Sequence, residues 1–459
     1  GLNHIFPAQL GRQLQHFRIF FLIERKLGNS IPIAQIYKYQ TAKITATMHP
    51  AHYGNIGANI PGTQIYVVSR YDHVREVLMD PARFPSTAAN ELMRASPTDM
   101  ERGRKVAERF KANGWLPAPT LAGRDDPNHK QMRAMFNEAF KPSRIKEIDP
   151  RVETLAYELI DEFVADGRCD WVRQFCVPLP LFIIGEQMGA KREDMWKIKG
   201  WTDAFFHRIS LMLPEDKHLE MVDREIEAQH YFQPIFERLR EHPDGSLISV
   251  LVNTVIEGWD RPLNDNELHA EMMADTFVGG SETTTNALAA GMKLLIENKD
   301  VWHKLRSDPD KYMRNFVEEV LRLESPVQSL MRFTHKDVEL DGVTIPAGSV
   351  VNVRYGAANR DERIFKDADR FVVGRKDLVQ REPRGQYRAD GLPSGITPAL
   401  GTPSKYPALP VGRPRSLYAI TRDTATDELR KRLADNTDAQ TVEAARSLEM
   451  DAAEALRTR

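Results

Sequence analysis

Residues 279–284 read Gly-Gly-Ser-Glu-Thr-Thr in the middle of a long, mostly apolar helical pattern that runs to about Asn298. Two adjacent glycines inside a helix cost about 1 kcal/mol each relative to alanine, and they permit a kink and the close approach of a flat ligand. Gly279 and Thr283 are four residues apart, so the hydroxyl lies on the helix face that the glycine opens. Beside it, Glu282 could relay protons into a buried pocket. A glycine-rich helix contact with its polar residues in solvent is the alternative, and this segment alone favours it.

A second helical stretch, from about Pro309 to Glu324, contains Glu319 and Arg322. Their spacing of three residues puts a carboxylate and a guanidinium on one helix face, where they could pair. A lone pair of this kind is usually a surface ion pair that contributes a few tenths of a kcal/mol, so by itself it does not indicate a function.

Three basic side chains form a further candidate set. His129 and Arg133 lie four residues apart in a helical pattern from Pro127 to Phe140, and Arg332 lies in a β-like stretch after the second helix. Such a set could hold the carboxylates of an anionic cofactor. Scattered surface bases are the alternative, and each residue taken alone favours it.

The pattern elsewhere is mainly helical with one small β-rich region. Residues 64–79 read as a strand followed by a helix. Residues 327–354 alternate apolar and polar side chains around turn signals at Asp341–Gly342 and at 346–348. The sequence therefore predicts a mainly α protein in which the small β-rich region follows the last long helix.

The amino-acid composition limits the classes of protein to which the chain can belong. The chain has 459 residues, with 41% apolar and 28% charged residues, as in an ordinary globular protein, and no long linker divides it. With 63 Lys+Arg against 65 Asp+Glu, the net charge of −2 argues against a broad basic surface for nucleic acid. The apolar run at 19–23 is far shorter than the ~20 residues of a membrane-spanning helix, and no secretory leader is recognisable. Two cysteines are too few for a disulfide framework, so we expect a cytoplasmic protein without a membrane anchor.

In their order along the chain, these motifs resemble the cytochrome P-450 family of haem-thiolate monooxygenases. Residues 125–133 look like the family's haem-propionate helix, residues 279–284 resemble its oxygen-binding groove, and Glu319 and Arg322 match its Glu-x-x-Arg pair. The resemblance covers roughly residues 60–375. It is extended by the stretches at 69–78 (Ser-Arg-Tyr-Asp-His-Val-Arg-Glu-Val-Leu), 357–361 (Ala-Ala-Asn-Arg-Asp) and 369–375 (Asp-Arg-Phe-Val-Val-Gly-Arg).

The resemblance implies the cytochrome P-450 fold, a haem b cofactor, and insertion of oxygen into a small apolar substrate. It also implies electrons from a ferredoxin-type partner supplied by NAD(P)H. The implied site residues are Glu282 and Thr283 for proton delivery, Gly279 and Gly280 for the oxygen groove, His129, Arg133 and Arg332 for the haem propionates, and Glu319, Arg322 and Arg375 for a structural network on the proximal side.

The pocket's substrate is not identified by the sequence. Segments 80–120 and 200–260, which the resemblance places around the pocket, contain Phe205, Phe206, Leu211 and Met212 but no decisive polar group. These side chains favour an apolar ligand, although helical core packing would explain them equally well.

The resemblance ends after Arg375. The family's loop Phe-x-x-Gly-x-x-x-Cys-x-Gly, whose cysteine thiolate ligates the iron, should follow there. The chain has no cysteine after Cys176 and no histidine after His335, so the metal ligand is unknown. Cys169 and Cys176 are expected to be buried small hydrophobes. The other plausible ligands, none of them in a recognisable loop, are Tyr387, Tyr406, Tyr418 and Met450.

We therefore divide the chain into a P-450-like domain, residues 1–375, and an atypical tail, residues 376–459. The tail has seven prolines between Pro383 and Pro414 and ends in a charged helical pattern at 424–459. It could be a shifted reading frame, a genuine cysteine-free helper protein, or a real tail with an unrecognised ligand. We favour the first, because residues 391–401 read two bases out of phase allow Phe-x-x-Gly-x-His-x-Cys-x-Gly under suitable codons. A shifted tail also predicts poor stability, since it would lack native core contacts.

Overall fold

The structure is a computed structural model, and it describes residues 65–87, 97–140, 142–166, 168–209 and 214–375. The tail, its predicted helix at 424–459 and its four candidate iron ligands lie outside these residues, as do Leu211 and Met212.

The described chain is mainly helical, as predicted. Its α-helices are α1 (Tyr71–Met79), α2 (Pro97–Asn113), α3 (Asn128–Ala139), α4 (Pro142–Asp161), α5 (Pro178–Gln187), α6 (Met195–Ile209), α7 (Glu215–Glu241), α8 (Leu247–Asn253), α9 (Asp265–Glu271), α10 (Gly279–Glu297), α11 (Lys299–Ser307), α12 (Pro309–Leu323) and α13 (Tyr355–Ala358). The strands are β1 (Ile65–Val68), β2 (Ser329–Phe333), β3 (Val338–Leu340), β4 (Val343–Ile345) and β5 (Val350–Arg354).

The strands form two small sheets in the region where the sequence predicts β structure. In the first sheet β5 lies between β1, to which it is parallel, and β2, to which it is antiparallel. In the second, β3 and β4 form a hairpin. Its turn residues Asp341 and Gly342 have φ values of 50° and 75°, the left-handed geometry that aspartate and glycine tolerate best in a tight hairpin turn.

A central helix (residues 265–297) is built from α9, a π-helical segment (Met272–Val278) and α10. Asn264 caps it with a reciprocal capping box to Glu267, which explains where it begins. The irregularity expected at the glycine pair instead occupies the turns before it. The π segment widens the helix there, and Gly279 is the first residue of regular α structure.

The central helix also organises the packing. The largest apolar cluster surrounds its first half and includes α5, whose eight residues 178–185 are all buried. A second cluster joins the small sheet to α1, and a third joins the end of α10 to α11 and α12. Among the described helices, none combines the length and the apolar character needed to cross a bilayer.

Candidate active site

One face of the central helix combines an open backbone with polar side chains. Asp275, Gly279 and Thr283 recur every four residues along it, and all three keep part of their surface accessible although the residues between them are largely buried. A Cβ at Gly279 would meet only the carbonyl oxygen of Ala274, at 3.8 Å, so the backbone is open on this side. The Thr283 hydroxyl donates to the Gly279 carbonyl at 2.9 Å, as the spacing predicts.

Gly280 lies on a different face of the central helix, and its place in the oxygen groove stays a prediction. A Cβ on it would lie 3.6 Å from the side chain of Ile184 in α5. Successive helical residues point about 100° apart, so two adjacent glycines cannot open the same face. Gly280 therefore lies on the face that packs against α5, and Gly279 alone opens the backbone beside Thr283.

Glu282 is tied to helix α6 through a buried lysine. The carboxyl is 3% exposed, and Lys199 Nζ lies 3.1 Å from its Oε1. Lys199 also donates to Asp203, one turn further along α6, whose side chain is 36% exposed. These contacts form a continuous chain of polar groups from the central helix to solvent.

Burial shifts the pKa values of two groups in this series of polar side chains, Glu282 and Lys199. Burial raises the pKa of Glu282, although the Lys199 ammonium opposes the shift. Burial also works against the charge of Lys199, but the carboxylates of Glu282 and Asp203 outweigh it and raise the pKa of that lysine. Burial and the Lys199 ammonium therefore act on the pKa of the Glu282 carboxyl in opposite directions, and burial has the larger effect.

The three predicted propionate-binding residues lie on helix α3 and strand β2. Arg133 is partly buried: burial lowers the pKa of its guanidinium to about 10, and its buried Nη2 has no hydrogen-bond partner within the described residues. His129 Nδ1 lies 3.5 Å from Asp126 Oδ1, and burial, helped by the Arg133 charge, lowers the pKa of this imidazole. Arg332 Nη1 donates to the neighbouring Met331 carbonyl at 2.9 Å.

Haem propionates fit this arrangement on one side. A guanidinium with a buried, unpaired N–H has not met its hydrogen-bonding requirement, which an anion would complete. Leu330 lies two residues before Arg332 on the same face of β2 and is 40% exposed, so an apolar surface adjoins the cation. That Arg133, His129 and Arg332 together hold the propionates stays a prediction.

Neither Cys169 nor Cys176 fits the thiolate ligand that a haem iron would need. Cys176 is fully buried, and its main-chain carbonyl accepts the Thr285 hydroxyl at 2.9 Å. Cys169 is partly exposed rather than buried as expected, and burial together with Asp170 raises the pKa of its thiol. A raised pKa disfavours the thiolate that ligates iron. No axial ligand is therefore assigned among the described residues.

Glu319 and Arg322 form a buried ion pair, and the surface alternative is wrong. Both side chains are fully buried and make two parallel contacts of 2.8 Å. The guanidinium also donates to the carbonyls of residues 359, 368 and 370, and the Val372 N–H donates to Glu319 at 2.9 Å. Arg375 Nη1 lies 3.5 Å from the same carboxylate, so the structure brings together the three residues of the predicted network.

A pair of carboxyl groups, Glu271 and Asp275, was not singled out from the sequence. Glu271 accepts the N–H of Leu121, and Asp275 Oδ2 accepts the N–H of Ala122 at 2.9 Å. Burial, reinforced by the neighbouring Asp275, raises the pKa of Glu271 well above its usual range. The pair fastens residues 121–122, a short turn ahead of α3, onto the π segment.

The family model described as cytochrome P450 matches residues 174–377. The vitamin D(3) 25-hydroxylase of Pseudonocardia autotrophica is 31% identical over 317 residues, which is 69% of this chain and 73% of the relative. The chain belongs to the cytochrome P450 family. The steroid C26-monooxygenase of Mycobacterium tuberculosis is 30% identical over 257 residues, covering 56% of this cytochrome P450 chain and 68% of the relative. The family predicted from the order of motifs is confirmed.

Solved cytochrome P450 structures confirm the predicted fold. A myxobacterial cytochrome P450 in complex with myristic acid aligns with a TM-score of 0.65 and 27% identity, over 87% of this chain and 89% of that one. A Bacillus megaterium cytochrome P450 in complex with testosterone gives 0.63 and 26%, over 85% and 90%.

The sequence left four polar residues of this cytochrome P450 site unrecognised: Lys199, Asp203, Glu271 and Asp275. The signal for the first two was their spacing of four residues in α6, which also includes His207. For the acids it was their spacing of four residues in the helical run ahead of the glycine pair. Neither signal identifies the partner, because each partner lies on a different element of the fold.

Proposed function

We propose that this cytochrome P450 chain descends from, and is built for, haem-dependent monooxygenation of a small apolar molecule. The carrying observation is Glu282, a buried acid beside Thr283, connected to solvent through Lys199 and Asp203. The names of its relatives support an apolar substrate: they act on vitamin D(3) and a steroid, and solved neighbours hold testosterone and myristic acid.

Haem b would be held by Arg133, His129 and Arg332 through its propionates. When bound, it would supply an iron that binds and activates dioxygen. Gly279 would leave room on the helix face, and Thr283 would present a hydroxyl there. The Glu319–Arg322–Arg375 network would support the site structurally by fixing the chain that follows α12.

Proton delivery would run along the polar chain. The chain would begin at the partly exposed Asp203 and continue through Lys199 to Glu282, which would hold a proton beside the Thr283 hydroxyl because burial raises the pKa of Glu282. We further propose a ferredoxin-type electron donor, and a cytoplasmic location.

A second function is favoured by one observation: no cysteine follows Cys176. A cytochrome P450 fold without its thiolate would be a catalytically inactive helper that binds a partner or ligand. The retained pair of Glu282 and Thr283 counts against this, because a helper has no use for proton delivery. A frame shift near Arg375 would account for both observations, because it would remove the cysteine loop and leave Glu282 and Thr283 in place.

The first test is a haemin titration of the full chain, followed by a carbon monoxide difference spectrum of the reduced complex. We expect haemin to bind, and the Arg133→Leu variant to bind about ten-fold more weakly because one charge-assisted contact is lost. The exposed Arg173→Leu variant is the matched control and should bind haemin like the wild type.

The carbon monoxide spectrum then separates the two functions. The red-shifted band of a thiolate complex would mean that a cysteine ligates the iron, contrary to the assignment above. A band typical of a neutral ligand would leave the fold without its oxygen chemistry. Determining the codons after Arg375 would then distinguish a helper protein from a shifted frame. Absence of haemin binding would count against the proposed activity as a whole.

A further inference from the structure

Strand β5 ends in an arginine whose charge has no partner in the part of the chain that the structure describes. The side chain of Arg354 forms no hydrogen bond and no ion pair there, and its Nε is cut off from solvent. Burial lowers the pKa of its guanidinium, and no carboxylate of a described residue opposes that shift. Arg354 therefore lacks both a hydrogen-bond acceptor and a counter-charge.

Two arginines that follow shortly after β5 have carboxylate partners. Arg360 Nη1 donates to Asp369 Oδ1 at 2.8 Å, and Arg363 Nε donates to Asp361 Oδ1 at 2.9 Å. Both pairs are complete within the described residues, whereas Arg354 would be completed by an anion that those residues do not supply.

The strand register places two more polar side chains beside Arg354. Arg354 lies opposite Ser329 of β2, and Asn352 lies opposite Met331. Directly opposite residues share one face of a sheet, and so do residues two apart on one strand. One face of the sheet therefore carries a guanidinium, an amide, a hydroxyl and a thioether side by side.

This face is not the one that carries Arg332. Arg332 lies opposite Val351, and residues 351 and 354 are separated by an odd number of positions on β5. Their side chains therefore point to opposite faces of the sheet. Arg354 is thus separate from the predicted propionate-binding set.

A ligand can reach this face of the sheet. Ser329, Met331 and Arg354 each keep part of their surface accessible, although Asn352 is only 6% exposed. The Oδ1 atom of Asn352 is buried and accepts no hydrogen bond from a described residue, and a half-turn of the amide would present its NH₂ group in the same place. Met331 adds apolar surface next to these polar groups.

We propose that Arg354, Asn352 and Ser329 form a binding site for a carboxylate that carries an apolar chain, as in a fatty acid. The planar guanidinium binds the two carboxylate oxygens, and the amide and hydroxyl supply further donors. Met331 contacts the start of the apolar chain. One positive charge meets the single negative charge of a carboxylate, so the occupied site is neutral. The inference is independent of the proposed monooxygenation, because it uses only the small sheet.

The test is isothermal titration calorimetry of the full chain at neutral pH with three probes of equal length: octanoate, 1-octanol and octylamine. We expect the wild type to bind octanoate about ten-fold more tightly than 1-octanol, and octylamine most weakly, as one charge-assisted contact predicts. Arg354→Gln should abolish the preference for octanoate and leave 1-octanol affinity unchanged. Ser329→Ala should weaken octanoate binding about three-fold, because one hydrogen bond is lost.

Arg354→Gln should also keep the fold. The guanidinium has no partner among the described residues, so the variant without ligand should melt at the temperature of the wild type or above it. Octanoate should raise the melting temperature of the wild type more than that of the variant.

Two control variants and a second ligand locate the effect. Arg133 also has an unpaired N–H, so Arg133→Gln should retain the octanoate preference if Arg354 is the binding cation. The exposed Arg173→Gln variant should behave like the wild type. Arg354→Gln should bind haemin as tightly as the wild type, because Arg354 and Arg332 lie on opposite faces of the sheet.

Three results would overturn the inference. They are equal affinity for the three probes, an octanoate preference that survives Arg354→Gln, and a ten-fold loss of haemin affinity in Arg354→Gln, which would assign this guanidinium to the haem. A lower melting temperature of the ligand-free variant would also count against it, since the guanidinium would then have a partner in the chain. Haemin binding by the wild type, which tests the proposed activity, is unaffected by any of these results.

Discussion

Two buried acid–base pairs in this molecule differ in how completely their charges are satisfied. Glu319 and Arg322 make two parallel contacts, and main-chain groups on four further residues complete their hydrogen bonding. Glu282 and Lys199 make one contact, and the lysine is shared with the half-exposed Asp203. The first arrangement fixes the chain that follows α12, whereas the second leaves a carboxyl able to change its protonation.

The Glu319–Arg322 pair should show the largest energetic effect. Replacing Arg322 with leucine leaves the Glu319 charge buried without its partner, so we expect a loss of about 3–5 kcal/mol in the free energy of unfolding, measured by urea denaturation. The Glu319→Leu/Arg322→Leu double variant should be less destabilised than Arg322→Leu. A loss below about 1 kcal/mol for the single variant would contradict a structural role for the pair.

Lys199→Met should lower the free energy of unfolding by less than Arg322→Leu, although it also removes the partner of a buried acid. Glu282 can take up a proton because burial already raises its pKa, so we expect a loss of about 1–2 kcal/mol. The pKa of Glu282 should rise further, since the ammonium holds it down. Titration of the protonated carboxyl band by infrared difference spectroscopy would measure this, with Glu282→Gln identifying the band. A loss in the free energy of unfolding as large as that of Arg322→Leu would mean that the two pairs do not differ in this way.

Asp203→Asn should leave stability within about 0.5 kcal/mol of the wild type, because the side chain is half-exposed. It should lower the pKa of Glu282, since the Asp203 carboxylate raises it. The shift is thus opposite in sign to that of Lys199→Met, which makes the two variants controls for each other in the same infrared titration. Shifts in the same direction would mean that the three groups do not form one electrostatic chain.

Glu271 should make the stability of the protein depend on pH. Its folded-state pKa is raised, so the folded state binds the proton more tightly than the unfolded chain, and stability falls as pH rises above the unfolded pKa toward the folded one. Glu271→Gln should flatten this slope in urea unfolding measured from about pH 5 to 8. The exposed Glu257→Gln variant should retain the wild-type slope, and an unchanged slope in Glu271→Gln would place the titration elsewhere.

The sequence predicted those parts of the fold that depend on residues close together in the chain. The central helix, the helix containing Glu319 and Arg322, and the turn at Asp341 and Gly342 all follow from spacing and turn chemistry, and the order of motifs gave the family. The partners of buried charges were not predictable in this way. Lys199 meets Glu282 across more than eighty residues of sequence, and only packing of α6 on the central helix brings them together.

Gly279 and Gly280 also show that position in the sequence does not reveal which residues a side chain or backbone will meet. Their adjacency in sequence suggests one shared task, but the helix directs one toward Thr283 and the other toward Ile184. The burial of Glu319 and Arg322 was likewise hidden, because spacing reveals that two charges can meet and leaves open whether water surrounds them.

The π segment between residues 272 and 278 is a place where the loss of one residue would change the structure of the central helix without unfolding it. Deleting one residue there would restore ordinary helical spacing and rotate everything before it by about 100° relative to Thr283. Glu271 and Asp275 would turn away from residues 121–122, and the turn ahead of α3 would lose its two carboxylate contacts. A single-codon deletion would thus detach this turn from the central helix while Glu282 and Thr283 kept their places.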